Sequence, residues 1–146
     1  MTIAAARHVR RFGLEPKIAL CSHSQFGNLE TDSGRRVRGA LAILDAQALD
    51  FAYEGEMHSD AALDPELRAR IFPDARFEGP ANVLIMPGLH TSNAAHQIME
   101  KLGGGTVIGP LLAGLARPAQ IVHLGASVGE IVNVAALTAY ESQRKR

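Results

Sequence analysis

The chain has 146 residues, of which 47% are hydrophobic and 21% charged, the composition of one compact folded domain and not of a disordered segment. Fifteen Lys and Arg balance fifteen Asp and Glu, so the basic excess of a dedicated nucleic-acid binder is missing. The single cysteine, Cys21, excludes an internal disulfide framework and a cysteine-rich zinc site. No apolar run approaches the roughly 18 residues of a membrane-spanning helix. In residues 1–11 the basic side chains follow the apolar ones, the reverse of a signal peptide. The expectation is a cytoplasmic domain with neither membrane nor nucleic-acid partner.

In chain order, residues 3–14 read as a short helix stopped by Gly13. Residues 16–21 form an apolar run after a proline, the signal of a buried strand. Residues 22–33 are polar and turn-rich. From Gly34 to Gln47, Val37, Ala40, Leu41 and Leu44 fall on one face of an amphipathic helix, with Arg35, Arg36 and Arg38 near its start. Residues 50–55 read as a second strand. Asp64-Pro65-Glu66 then has the order of an N-cap, a proline at the first helical position and an acidic first turn, opening a helix to Ile71. Residues 82–86 read as a third buried strand, and residues 91–102 as a helix stopped by Gly103, Gly104 and Gly105. Residues 106–108 and 119–124 are further strand candidates. Residues 127–140 form a last helix, apolar nearly all round and so expected to be buried. The tail from Gln143 is expected to be solvated. Strands alternating with helices imply an α/β, three-layer sandwich with a mostly parallel sheet.

Gly125-Ala126-Ser127-Val128-Gly129 matches the nucleophile-elbow pattern, between a predicted strand and a helix. A hydrolase of that type needs an acid and then a histidine downstream, and no histidine follows Gly129. The simpler reading is a capping box, with Ser127 and Glu130 satisfying free amides at the helix start. The loop from Ser22 to Asn28 leaves a strand end, where open α/β sheets bind ligands. Its hydroxyls, imidazole and backbone amides suit phosphate oxygens, and a plain polar loop with a turn glycine accounts for it equally well. The six histidines (8, 23, 58, 90, 96 and 123) contain no His-x-x-x-His pair, so surface or structural roles are favoured and no metal is expected. Asp60, close in number to Glu54 and Glu56, reads as a helix cap.

Five separated blocks together resemble the phosphate acetyl/butyryltransferase family: residues 20–27, 53–62, 79–87, 108–112 and 131–136. Within it, Ser22-His23-Ser24-Gln25-Phe26-Gly27 is nearer to the Ser-His-Ser-Asn-Phe-Gly of the phosphotransacetylase-like C-terminal domain of bacterial NADP-dependent malic enzymes than to the Ser-Phe-Ser-Thr-Lys-Gly of the free-standing enzymes. Glu56-Met57-His58 and residues 68–73 fit the same branch. The resemblance implies the phosphotransacetylase fold, similar to that of isocitrate dehydrogenase. Residues 1–146 would be one domain, the second subdomain plus the returning C-terminal segment of a two-subdomain unit.

The resemblance also implies a ligand, acetyl-CoA or CoA, with contacts at Ser22, Ser24, Gly27, Gly109, Pro110, Gly114, Gly125 and Ser127. It implies a homodimer or higher homo-oligomer, and a malic enzyme catalytic domain as partner. Active members carry Ser-Arg-Gly-Cys before the last helix and an Asp soon after. Here the run is His123-Leu124-Gly125-Ala126, with Glu130 at the acid position. Leu124 offers no guanidinium to a phosphate or to developing negative charge. The expectation is therefore a sensing and oligomerisation domain without transferase chemistry. Its alternatives are an active phosphate acetyltransferase using Glu130 as base with His123 in place of the serine, and a dimerisation module with a vestigial pocket.

Overall fold

The computed structural model describes residues 1–143, so all of the expected tail except Gln143 lies outside the described residues. The backbone groups into two compact units, Met1–His96 and Gln97–Arg146.

The first unit is built around β1 (Lys17–Cys21), flanked by β2 (Ala52–Met57) and β3 (Val83–Ile85) in the order β2-β1-β3. Both pairings are parallel, with Ile18 opposite Tyr53 on one side and Val83 on the other. Because strand side chains alternate, β1 feeds two cores. Ile18 and Leu20 pack with Ala6 of α1 (Thr2–Arg10) and with Val37, Leu41 and Leu44 of α2 (Asp32–Asp45). Ala19 and Cys21 pack on the opposite face with Met57, Phe77, Ala81 and with Ala61 and Ala62 of α3 (Ser59–Leu63). A strand covered on both faces has no polar side to show, and this explains the unbroken apolar run.

Local chemistry sets the helix starts. Thr31 caps α2 by accepting the Gly34 N–H at 3.0 Å. Asp64 caps α4 (Pro65–Ile71) by accepting the N–H groups of Glu66 and Leu67, each at 2.9 Å. Gly55 lets β2 approach its neighbour, since a Cβ there would stand 2.7 Å from the Leu20 carbonyl oxygen. One residue further the register slips: Leu20 pairs with Gly55 but Cys21 with Met57, leaving Glu56 in a bulge.

The chain then enters α5 (Leu89–Leu102), which runs into the second unit, where α6 (Val128–Gln143) is the other helix. The α5 stop is as expected: the Gly103 N–H closes on the Met99 carbonyl at 2.8 Å, and a Cβ on Gly103 would be 2.6 Å from that oxygen.

Three expectations need correction. Residues 106–108 and 119–124 form no strand. A strand exists only with a partner edge, and here the Gln120 side-chain amide takes the partner's place, accepting the Leu112 N–H at 2.7 Å and donating to the Leu112 carbonyl at 3.2 Å. The last helix is not buried. Only Val134 of α6 is, while Val128, Ile131, Val132 and Tyr140 are exposed. Apolar character all round predicts burial only where a second layer exists to supply it. The first helix ends at Arg10, short of Gly13, whose N–H bonds to the Arg10 carbonyl at 3.0 Å as the chain turns. Among the described residues, no helix is long and apolar enough to cross a membrane.

Candidate functional site

The strand order decides where a ligand can enter. From β1 the chain crosses by α2 to β2 on one side, then by α3 and α4 to β3 on the other. The connections thus diverge at β1, and a crevice opens beyond the carboxyl ends of β1 and β3. A cleft of about 470 Å3 lies there, lined by Cys21, Ser22 and His23 after β1 and by Met86, Pro87 and Gly88 after β3. Ser33 from the first turn of α2, Ser59 from α3 and His90 and Thr91 from the first turn of α5 complete it. The lining is four hydroxyls, two imidazoles, a thiol and a few apolar groups, without Lys or Arg. Arg36 stands next to it, its guanidinium 3.5 Å from the Pro87 carbonyl oxygen. Burial pushes the Cys21 thiol up, partly offset by a hydrogen bond with Ser59. Cys21 is therefore a packing group and not a poised nucleophile.

The loop after β1 is held from beneath by Glu56, whose side chain is fully buried. One carboxylate oxygen, Oε1, accepts the Ser24 hydroxyl at 2.5 Å, the Arg38 guanidinium at 2.7 Å and the Gly27 N–H at 3.1 Å. The other, Oε2, is buried with no hydrogen-bond partner among the described residues. The bulge at Glu56 is what turns this carboxylate under the loop. Arg38 is held in turn by Glu30 at 2.6 Å. Gly34 gives α2 room here, because a Cβ would stand 3.2 Å from that of Ser24. Phe26, in the left-handed region with φ 48°, stacks on Phe72 with ring centroids 3.9 Å apart and donates its N–H to the Glu56 carbonyl at 2.7 Å. His58 stacks on His23 at 5.9 Å, its Nε2 2.7 Å from the His23 carbonyl oxygen. A carbonyl can only accept, so this Nε2 carries the proton.

Of the expected contacts in this unit, Ser22 lines the cleft. Ser24 is completely buried and its hydroxyl is committed to Glu56, so it shapes the loop from inside. Gly27, at φ +83°, offers its N–H to Glu56. Sequence reasoning passed over Cys21, Ser33, Ser59, His90 and Thr91. Ser33 and His90 begin helices that follow strands, and that position is the legible signal.

In the second unit, the capping box forms: Ser127 donates its N–H to Glu130 Oε2 at 2.6 Å, and Glu130 donates its N–H to the Ser127 hydroxyl at 3.3 Å. The Ser127 amide, then its hydroxyl, hold the Glu130 carboxyl below its ordinary range, with smaller help from His123 and Lys101. The Ala126 N–H reaches the His123 carbonyl at 3.1 Å, a turn that brings Gly125 against the His123 ring. Leu124 is fully exposed. Gly109, joined to Pro110 by a cis peptide bond, and Gly114 lie in the irregular segment before this turn. Among the described residues, no three His, Cys, Asp or Glu side chains are grouped to hold a metal ion.

Residues 1–139 match the family described as phosphate acetyl/butaryl transferase. The chain belongs to this family. Its relatives are of two kinds, at nearly the same identity. An NADP-dependent malic enzyme of Rhizobium meliloti is 41% identical over 94% of this chain and 18% of its own length. A phosphate acetyltransferase of Paracoccus denitrificans is 42% identical over 98% of this chain and 45% of its own length. Among solved structures, the EutD phosphotransacetylase from Staphylococcus aureus superposes with a TM-score of 0.88 at 30% identity, over 97% of this chain and 44% of that one. The chain therefore spans less than half the length of these relatives, and its fold is a partial copy of the phosphotransacetylase fold.

Proposed function

We propose that this chain is the acetyl-CoA-sensing and oligomerisation domain of a bacterial malic enzyme, with oxidative decarboxylation of malate carried by a catalytic domain outside it and no transferase chemistry of its own. The observation that carries this reading is the turn before α6. Where active members of the family place serine and arginine, it holds His123 and Leu124, and Leu124 projects a bare isobutyl group into solvent. Losing a donor to developing negative charge lowers rates by about 10²–10³. The acid position is in no better state for catalysis. A general base must be free to take a proton, and the Glu130 carboxylate accepts the amide that starts α6, a bond that makes it a weaker base. The cleft at the strand ends supports binding: its volume and its hydroxyls suit a phosphate or the acyl-thioester end of CoA.

The Paracoccus relative favours a second reading, an active phosphate acetyltransferase with Glu130 as base and His123 assisting. Calorimetric titration with acetyl-CoA in phosphate buffer, with CoA release followed in the same samples, separates the two. Saturable heat without CoA release supports the sensor. Phosphate-dependent CoA release establishes the transferase. No heat refutes ligand sensing by this chain and leaves the dimerisation module.

A further inference from the structure

One wall of the cleft hangs on three residues that take no part in its lining, Glu56, Met57 and His58 at the end of β2. Every residue from Ser22 to Gly27 except Gln25 bonds to this tripeptide. Ser22 donates its N–H to the Met57 carbonyl at 2.9 Å, and Phe26 its N–H to the Glu56 carbonyl at 2.7 Å. Glu56 Oε1 takes the Ser24 hydroxyl and the Gly27 N–H, and the His58 Nε2–H goes to the His23 carbonyl. The Ser22 hydroxyl in turn accepts the Ser24 N–H at 3.1 Å. The loop is neither helix nor strand, so these bonds decide where Ser22 and His23 stand.

Stability alone does not account for a carboxylate at this place. Glu56 is fully buried, and its Oε2 has no hydrogen-bond partner among the described residues. An unpaired oxygen in the core costs stability, and an apolar side chain would avoid that cost. The bulge adds to the cost, since it takes Glu56 out of the strand ladder to aim it under the loop. Such departures from good packing concentrate at functional sites. We infer that Glu56 and His58 are positioning residues of the cleft: they hold Ser22 and His23 at its wall and touch no ligand themselves. The inference rests on reading the cleft as a ligand site, and adds what sets the shape of its wall.

Cys21 supplies a readout that needs no ligand. It is the one thiol of the chain, it is buried directly before the loop, and Phe26 of the loop packs against the cluster that holds it. Release of the loop therefore opens Cys21 to iodoacetamide. Labelling of the full chain is followed at low urea, beside unfolding by circular dichroism. A rate that ignores urea reports local opening, and one that rises with urea along the unfolding line reports global unfolding. His58→Phe keeps a ring against His23 and removes the donor, so labelling by local opening should rise about fivefold, the worth of one neutral hydrogen bond. His58→Gln restores a donor and should bring the rate back to within about twofold. Glu56→Ala loses the Ser24 and Gly27 bonds and should raise the rate about thirtyfold. Glu56→Gln keeps an acceptor and should lower the urea midpoint without raising local opening. Should Glu56→Ala not fold, Ser24→Ala removes the same hydroxyl bond from the loop side and should raise labelling about fivefold. Rates in these variants equal to that of the unchanged protein, or labelling that follows unfolding in all of them, overturn the inference. Acetyl-CoA at about ten times its Kd should slow labelling of the unchanged protein about tenfold. Acetyl-CoA that gives heat yet leaves labelling as fast as before overturns the inference and sustains the sensor. Acetyl-CoA that gives no heat, while the variants label as expected, sustains the positioning residues and refutes acetyl-CoA as the occupant.

Discussion

Replacing Arg38 by methionine tests how the loop beneath the cleft is held. Glu56 is fully buried and Arg38 is about a third exposed. Arg38→Met leaves a carboxylate in the core with only the Ser24 hydroxyl and the Gly27 amide, both neutral. Breaking a buried pair from one side destabilises by about 3–5 kcal/mol, and the partial exposure of the guanidinium places this one near the low end, about 3 kcal/mol. With a urea slope of about 2 kcal/mol/M, the midpoint should fall by about 1.5 M. Glu56→Gln should be milder. It keeps an acceptor for Ser24 and leaves Arg38 its bond to Glu30, so a loss of about 1–2 kcal/mol is expected. The double variant is the decisive member, since a neutral amide needs no cation and its loss should be well under the sum of the singles. Urea unfolding followed by far-ultraviolet circular dichroism gives all three values. An Arg38→Met loss below about 1 kcal/mol, or strictly additive singles, would refute the claim that Arg38 compensates a buried charge.

Gly55→Ala should destabilise by about 2 kcal/mol in the same assay, because its Cβ meets the Leu20 carbonyl oxygen at 2.7 Å and β1 must move aside. Arg68 is buried, its charged form disfavoured by burial, and donates to the carbonyls of Ala61, Ala62, Phe77 and Gly79 while lying over the Phe77 ring. Arg68→Met should cost about 3 kcal/mol and expose residues 73–80 to limited proteolysis. The Glu130 carboxyl is depressed, so its contribution to the α6 start is complete above the unfolded value and is lost as pH falls through the folded one. Amide resonances of residues 127–130 should therefore show fraying on acidification below the ordinary carboxylate range, and Glu130→Gln should abolish that dependence.

The first unit was largely legible in the sequence because its signals are local. Pro16 followed by an apolar run marked β1, and Asp64-Pro65 marked the α4 start to the residue. The capping box at Ser127 was read correctly for the same reason. What escaped depends on partners distant in the chain. Nothing near residues 119–124 reveals that no strand edge awaits them, and nothing in α6 reveals how little of its apolar surface its own unit covers. Ser24 resembled Ser22 as a ligand contact. Only the bulge at Glu56 separates them, turning a carboxylate under one hydroxyl and leaving the other at the cleft wall. His90 is exposed, as expected of a surface histidine, and its place at the cleft rim shows only through neighbours such as His23, 67 residues earlier in the chain (90 − 23).

The central position of β1 also bears on how the protein is made. Lys17 meets Ala52, 35 residues later (52 − 17), and Ile18 meets Val83, 65 residues later (83 − 18). Both ladders require closure of long loops before any strand bond can form. During synthesis β1 emerges before both of its partner strands and stands with both edges bare until residue 57 has followed. The interval in which nascent chains are open to chaperones, or to one another, is therefore set by the arrival of β2.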